Sequence, residues 1–306
     1  MAAPLEQVGL APLMARTAGR PEVVVGLIDG FVALDHPELA GRRLWLLPGG
    51  VRGGCSRTAG DASCRHGTFV AGLLGAGRAS VPPGICPDCT FLVRPLFTAD
   101  HPAARLAPAA RPEDLAAAIV ETVDAGARVL NLSVAPERPS STGHRELEWA
   151  LDHAANRGVI TVVAAGNQGA VGTSVITRHP WTVPVVAYDG RGLPMELSNL
   201  GGSIGLRGIG APGERIAGLG VGGRPLVLTG TSAAAPFVAG AVALLLSEFP
   251  AASPAEVRSA VLRTGSVKRR TVVPPLLDAW GAYTTLVRSG RTARQAVRPE
   301  VGRHSQ

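Results

Sequence analysis

The sequence predicts an α/β fold, a single doubly wound domain with a mainly parallel central sheet flanked by helices. Short apolar or β-branched runs alternate with helical patterns along most of the chain. Several of these runs are apolar at consecutive positions rather than at every second one, which marks strands covered on both faces. A length of 306 residues with 46% hydrophobic content supplies one large core.

The first strand is VVVGLI, 23–28, and it delivers Asp29 and Gly30 at its carboxyl end. Residues 41–64 are rich in Gly, Arg and Cys and read as loop. HGTFVAGLLGAG, 66–77, reads as a helix of small residues opened by His66, and TFLVRPL, 90–96, as a second strand. Arg111-Pro-Glu-Asp starts a helix running to about Ala125, with proline and acids in its first turn. ARVLNLSV, 127–134, is another buried strand, and residues 144–157 carry apolar positions at helical spacing. GVITVVAAGN, 158–167, and residues 182–187 add two more strands. A helix beginning near Ser232 runs to about Glu248, and Ser253-Pro-Ala-Glu256 is a capping box opening the next. The domain therefore spans 21–289, with an N-terminal extension over 1–20 and a basic, disordered tail expected over 290–306.

No run of about 18 uncharged apolar residues is present, so no membrane span is expected. The N-terminal stretch lacks a basic region followed by a continuous apolar run, and a cytoplasmic location is expected. The net charge of +7 is concentrated after residue 263. Without aromatic interleaving or a nucleic-acid-binding motif, that excess reads as a solvated tail, and no nucleic-acid partner is expected. Cys55, Cys64, Cys86 and Cys89 fall close together, and Cys86-Pro-Asp-Cys89 has C-x-x-C spacing. Two local disulfides, reduced thiols or a structural zinc all fit them. No HExxH motif is present, so metal-dependent proteolysis is not expected.

In open α/β sheets chemistry gathers at the carboxyl ends of strands. Asp29 ends the first strand, while His66 and Ser232 each open a helix. Gly230 and Thr231 suit a turn before Ser232, and Pro236 is tolerated if it falls in the helix's first turn. A serine there can cap the helix, or it can act as a nucleophile where backbone donors favour an oxyanion.

VVVGLIDG around Asp29, HGTFVAG around His66, VVAAGN ending at Asn167 and GTSAAAPFVAGAVALL around Ser232 resemble the four motif blocks of subtilisin-like serine proteases, in that family's order. The resemblance covers roughly residues 20 to 265. It implies Ser232 as nucleophile, His66 as general base and acid, Asp29 as orienting carboxylate and Asn167 as oxyanion donor. It also implies an edge strand at Asn131, Ser133, Val134 and Ala135 that pairs with an extended peptide or protein substrate. Ala164, Ala165 and Gly166 would face the first specificity pocket. Gly30 departs from the family's Ser or Thr, Phe69 from its second histidine, and Val134-Ala-Pro136 from its glycines. No cofactor is expected; calcium, which many members bind, has no Asp-rich loop here and stays unassigned.

IDGFVALDHPEL, the Cys64-Arg-His66 context and PGICPDCTFLVRPLF are similar to the narrower group that matures cyanobactin-type ribosomal peptides. That likeness implies a precursor peptide as substrate. With only about 22 residues before the first strand, no long inhibitory prodomain is expected. Macrocyclising members carry a helical insertion before the histidine, whereas residues 41–65 show no helical pattern. Hydrolysis is therefore expected, with activity rising through about pH 6–7 as the histidine becomes neutral. A catalytically weak module that binds a peptide or partner protein is the alternative. The oligomeric state is not legible.

Overall fold

The computed structural model describes residues 4–49, 54–56, 58, 61–97, 111–133, 144–222, 224–263 and 271–290. In chain order the elements are α1 (Pro4–Gln7), α2 (Leu10–Arg16), β1 (Val24–Asp29), β2 (Arg43–Leu46), α3 (Ala62–Gly75), β3 (Thr90–Pro95), α4 (Pro112–Asp124) and β4 (Val129–Leu132). There follow α5 (Arg145–Asn156), β5 (Ile160–Ala164), α6 (Val175–Arg178), β6 (Val183–Tyr188), α7 (Gly202–Arg207), β7 (Ile209–Pro212), β8 (Ile216–Gly218) and β9 (Leu226–Leu228). The chain continues with α8 (Thr231–Glu248), α9 (Pro254–Leu262) and α10 (Ala279–Arg288). A 3-10 turn at Pro37–Leu39 follows β1.

Seven strands form one sheet in the order β2-β3-β1-β4-β5-β6-β7, and every pairing is parallel. This is the doubly wound fold the apolar runs predict, because parallel strands need crossover helices and both faces become covered. Phe69, Phe91, Leu74 and the buried length of α8 make the core on one face. Ile119, Leu130, Leu132, Leu147 and Leu151 make the core on the other. By length and composition α8 passes for a membrane span, yet 94% of it is buried inside the protein. Its even greasiness is that of a central core helix.

Two sequence expectations are corrected. The stretch 41–64 is not all loop: Arg43–Leu46 adds an edge strand to β3, and Leu44 packs against the core. Pairing with Phe91 and Leu92 overrides a composition that looks irregular. α3 starts at Ala62, capped by the Asp61 carboxylate, which accepts from the Cys64 N–H at 2.6 Å. His66 therefore lies in the second turn rather than at the opening. Within residues 1–20, Val8, Leu10 and Leu13 are fully buried in the main core. The capping box at Ser253 and Glu256 is present. The tail from 291 onward, Val134 and Ala135 lie outside the described residues.

Candidate active site

β1 lies between β3 and β4, so the order of strands reverses direction at its carboxyl end, where such sheets open a crevice. Asp29 stands there, 2% exposed. Its Oδ1 accepts from the Gly30 N–H at 2.6 Å and faces the Nδ1 of His66 at 2.7 Å. Position 30 has no room for a side chain, because a Cβ would collide with the backbone carbonyl and hydroxyl of Ser63 on α3. The departure to glycine at this position thus lets α3 approach β1 and bring His66 to the carboxylate. Asp29 Oδ2 is buried and has no hydrogen-bond partner among the described residues.

The other ring nitrogen of His66, Nε2, lies 3.0 Å from Ser232 Oγ. Residues 37 and 166 positions away in sequence thus meet on one imidazole. With Nδ1–H donated to Asp29, Nε2 is the lone-pair nitrogen that can accept the serine proton. Burial opposes charge on the ring, but the charge and hydrogen bond of Asp29 together outweigh it. The pKa of His66 accordingly lies above the ordinary 6.5. Since the imidazole must be neutral to accept a proton, activity is lost as pH falls through this raised value. We expect the acid limb of kcat/KM to have its midpoint above pH 6.5. A pH profile on any cleaved peptide checks this, and a midpoint below 6.5 contradicts it.

Ser232 is the second residue of α8, and Gly230 is the N-cap. The capping role available to Ser232 is not used; its hydroxyl turns to His66 instead. Gly230 has φ 136°, a region open to glycine alone, and a Cβ there would press on the Asn167 side chain. Pro236 falls at the sixth helical position, past the first turn where the sequence placed it. It withholds the N–H that the Ser232 carbonyl would otherwise accept, and the buried packing of α8 carries the helix through.

Asn167 follows β5 on an exposed turn. Its Oδ1 accepts from both the backbone N–H of Thr231 at 2.8 Å and its hydroxyl at 3.0 Å. The amide oxygen is thereby occupied, and Nδ2 is left as the outward donor beside the start of α8. Thr231 also accepts from the Gly166 N–H at 3.2 Å, which locks the turn to the helix. Asn199 steadies the same turn: its Oδ1 accepts from the N–H of Gln168 and Ala170, and its Nδ2 donates to the Gln168 side chain. The sequence marks Thr231 only as a turn residue, and it gives no sign of Asn199. The GTS context could have flagged the first, and no local signal points to the second.

The edge-strand expectation is corrected at Asn131. β4 is flanked by β1 and β5, and Asn131 pairs with Leu27 and Val162 in the middle of the sheet. It is fully buried and donates to Ser133 Oγ at 2.7 Å, so it has no free backbone edge to offer a substrate. Ser133 is the last described residue on this segment. Ala164 and Ala165 are buried at the end of β5, and Gly166 turns the chain outward.

Cys55 and Cys64 form a disulfide with Cα atoms 5.5 Å apart, two residues before His66. Cys86 and Cys89 are buried free thiols joined by a tight turn. The bridge takes Cys55 and Cys64 out of any thiolate metal site. Among the described residues no three His, Cys, Asp or Glu side chains gather as metal ligands.

A buried carboxylate, an imidazole and a hydroxyl in hydrogen-bonded series, at a helix start and beside a fixed amide, form the layout of a serine hydrolase on an α/β sheet. The chain belongs to the subtilase family, whose model matches residues 20–281. Subtilisin BL of Lederbergia lenta is 30% identical over 249 residues, which cover 80% of this chain and 83% of that protein. Among solved structures, a mutant of the protease domain of PatA is similar at 32% identity with a TM-score of 0.80, covering 90% of this chain and 98% of that one. The prenylagaramide maturation protease PagA is similar at 30% identity with a TM-score of 0.78, covering 91% and 98%. The chain is thus a subtilisin-like serine endopeptidase.

Proposed function

We propose that this endopeptidase hydrolyses a ribosomal precursor peptide through an acyl-enzyme on Ser232. The observation that carries the chemistry is the continuous series Asp29–His66–Ser232, at 2.7 and 3.0 Å. Ser232 Oγ attacks the scissile carbonyl carbon while His66 Nε2 takes its proton. His66 then returns the proton to the leaving amine, and Asp29 holds the ring and offsets its charge. Asn167 Nδ2 and the Ser232 N–H, at the positive end of α8, receive the oxyanion. Ala164, Ala165 and Gly166 border the pocket for the residue before the cut, and Ser133 borders the path of the substrate.

Likeness to PatA and PagA over nearly their whole solved chains supports precursor maturation as the role. Hydrolysis, rather than ring closure, is supported by the segment before His66. Its described residues build an edge strand and the first turn of α3, with no separate helix to cover the site. The imidazole keeps 20% of its side chain accessible, so water can reach an acyl-enzyme held there.

The test joins fluorophosphonate labelling with mass spectrometry of the products from a peptide library. We expect one label on Ser232 and linear fragments whose masses sum to the substrate plus one water. Joined-end products lighter by one water would overturn hydrolysis. A chain that neither labels nor cuts would instead be a peptide-binding module.

A further inference from the structure

The two edges of the main sheet are treated differently. At β7 the chain closes its own edge: the Gly210 N–H donates to Pro275 O at 2.7 Å, and Leu277 donates to Gly210 O at 2.8 Å. At the other edge, β2 pairs with β3 alone among the described residues. Leu47 donates to Val93 O at 2.8 Å. In a parallel ladder only alternate residues face a given neighbour, so Arg43, Trp45 and Leu47 turn toward β3. The backbone groups of Leu44 and Leu46 point away from β3. The Leu44 N–H is used by Arg42 O at 3.0 Å. Among the described residues, the Leu44 carbonyl and both backbone groups of Leu46 remain as an open donor–acceptor set.

An exposed edge is normally blunted by charge, proline or a covering segment. This one instead shows Trp45 at 61% and Leu46 at 48% exposure. Arg43 is exposed beside them and makes no ion pair among the described residues. The stretch 42–57 contains four arginines and no acid. Leu46 is level with Val93, and Val93 with Leu27, two residues before Asp29. Two strand spacings separate them, about 10 Å. The disulfide at Cys55 ties this same stretch to α3, which carries His66.

We infer that β2 is a secondary docking strand for an acidic, extended segment of the peptide substrate, lying outside the residues that flank the cut. This rests on the peptide-processing role proposed above. The partner adds a strand by main-chain hydrogen bonds at Leu44 and Leu46, rests an apolar residue on Trp45 and sets a carboxylate against Arg43. A second copy of this chain fits the edge poorly, because strand-on-strand pairing would bring two acid-free arginine stretches together.

The test uses one cleavable core peptide carrying no flank, a Glu-Val repeat or a Lys-Val repeat. In the unaltered enzyme the Glu-Val flank is expected to lower KM about tenfold with kcat unchanged, equivalent to about 1.4 kcal/mol of added binding. Leu46→Pro removes an outward N–H without touching the ladder to β3. It should abolish this advantage and leave the unflanked peptide unaffected. Arg43→Glu should transfer the advantage to the Lys-Val flank. Equal KM values for the three peptides in the unaltered enzyme would overturn the docking strand while leaving the peptidase reading intact. If no core is cut, the peptidase reading fails, and anisotropy of the labelled Glu-Val peptide still decides the docking: binding lost in Leu46→Pro supports it, and no binding refutes it. Concentration-dependent dimers abolished by Leu46→Pro would assign the edge to a second copy and overturn the proposal.

Discussion

Ser232→Ala is expected to lower kcat by about 10⁶-fold, the loss seen when a triad nucleophile is removed and its partners have nothing left to activate. The fold should survive. The change deletes one oxygen at the second position of α8, and that oxygen's described hydrogen bond runs to His66 at 3.0 Å. The loss of one such bond at a half-buried site costs about 1 kcal/mol. Labelling by fluorophosphonate should vanish together with turnover, while thermal unfolding stays close to that of the unaltered protein. Turnover retained in a preparation free of host proteases would remove Ser232 from the mechanism.

Asn167→Ala is expected to lower kcat by about 10²–10³-fold with little change in KM, because the amide acts on charge that develops only in the transition state. Here the side chain also has a structural task. Its Oδ1 holds both the N–H and the hydroxyl of Thr231, so alanine frees the start of the helix that positions Ser232. Asn167→Asp separates the two effects. It keeps an acceptor for Thr231 but replaces the outward donor with an oxygen that repels the oxyanion. Its kcat should fall at least as far as that of the alanine variant, with the unfolding temperature closer to the unaltered protein. An effect confined to KM in both variants would exclude Asn167 from oxyanion binding.

Much of this arrangement is legible in the sequence because the signals are local. VVVGLI before Asp29 and GVITVVAA before Gly166 announce buried parallel strands by being apolar at nearly every step. Asp29, His66, Asn167 and Ser232 sit inside short motifs that resemble a family's. What the sequence hides is long-range. Thr231 reaches Asn167 across 64 positions, and Asn199 reaches Gln168 across 31. Nothing in the neighbours of either residue encodes the other. The place of Asn131 is hidden for the same reason: LNLSV looks like any strand, and only the order of the sheet shows it to be central rather than an edge. β2 is masked in the sequence because its glycine- and arginine-rich surroundings outweigh four residues of pairing. The reason for Gly30 lies in Ser63, on an element that meets it only in the folded chain.

The bridge between Cys55 and Cys64 closes a ring spanning nine positions. For an enzyme that cuts peptide chains, this ring bears on its survival in the presence of its own copies. Cleavage of any peptide bond from Cys55 to Cys64 would leave the two pieces joined through sulfur. The carboxy-terminal piece would begin within or just before α3, still anchored by the burial of Phe69, Val70 and Leu74. Autolysis at this point is therefore a scar rather than a severance, and the histidine remains attached to the half of the molecule that carries its aspartate.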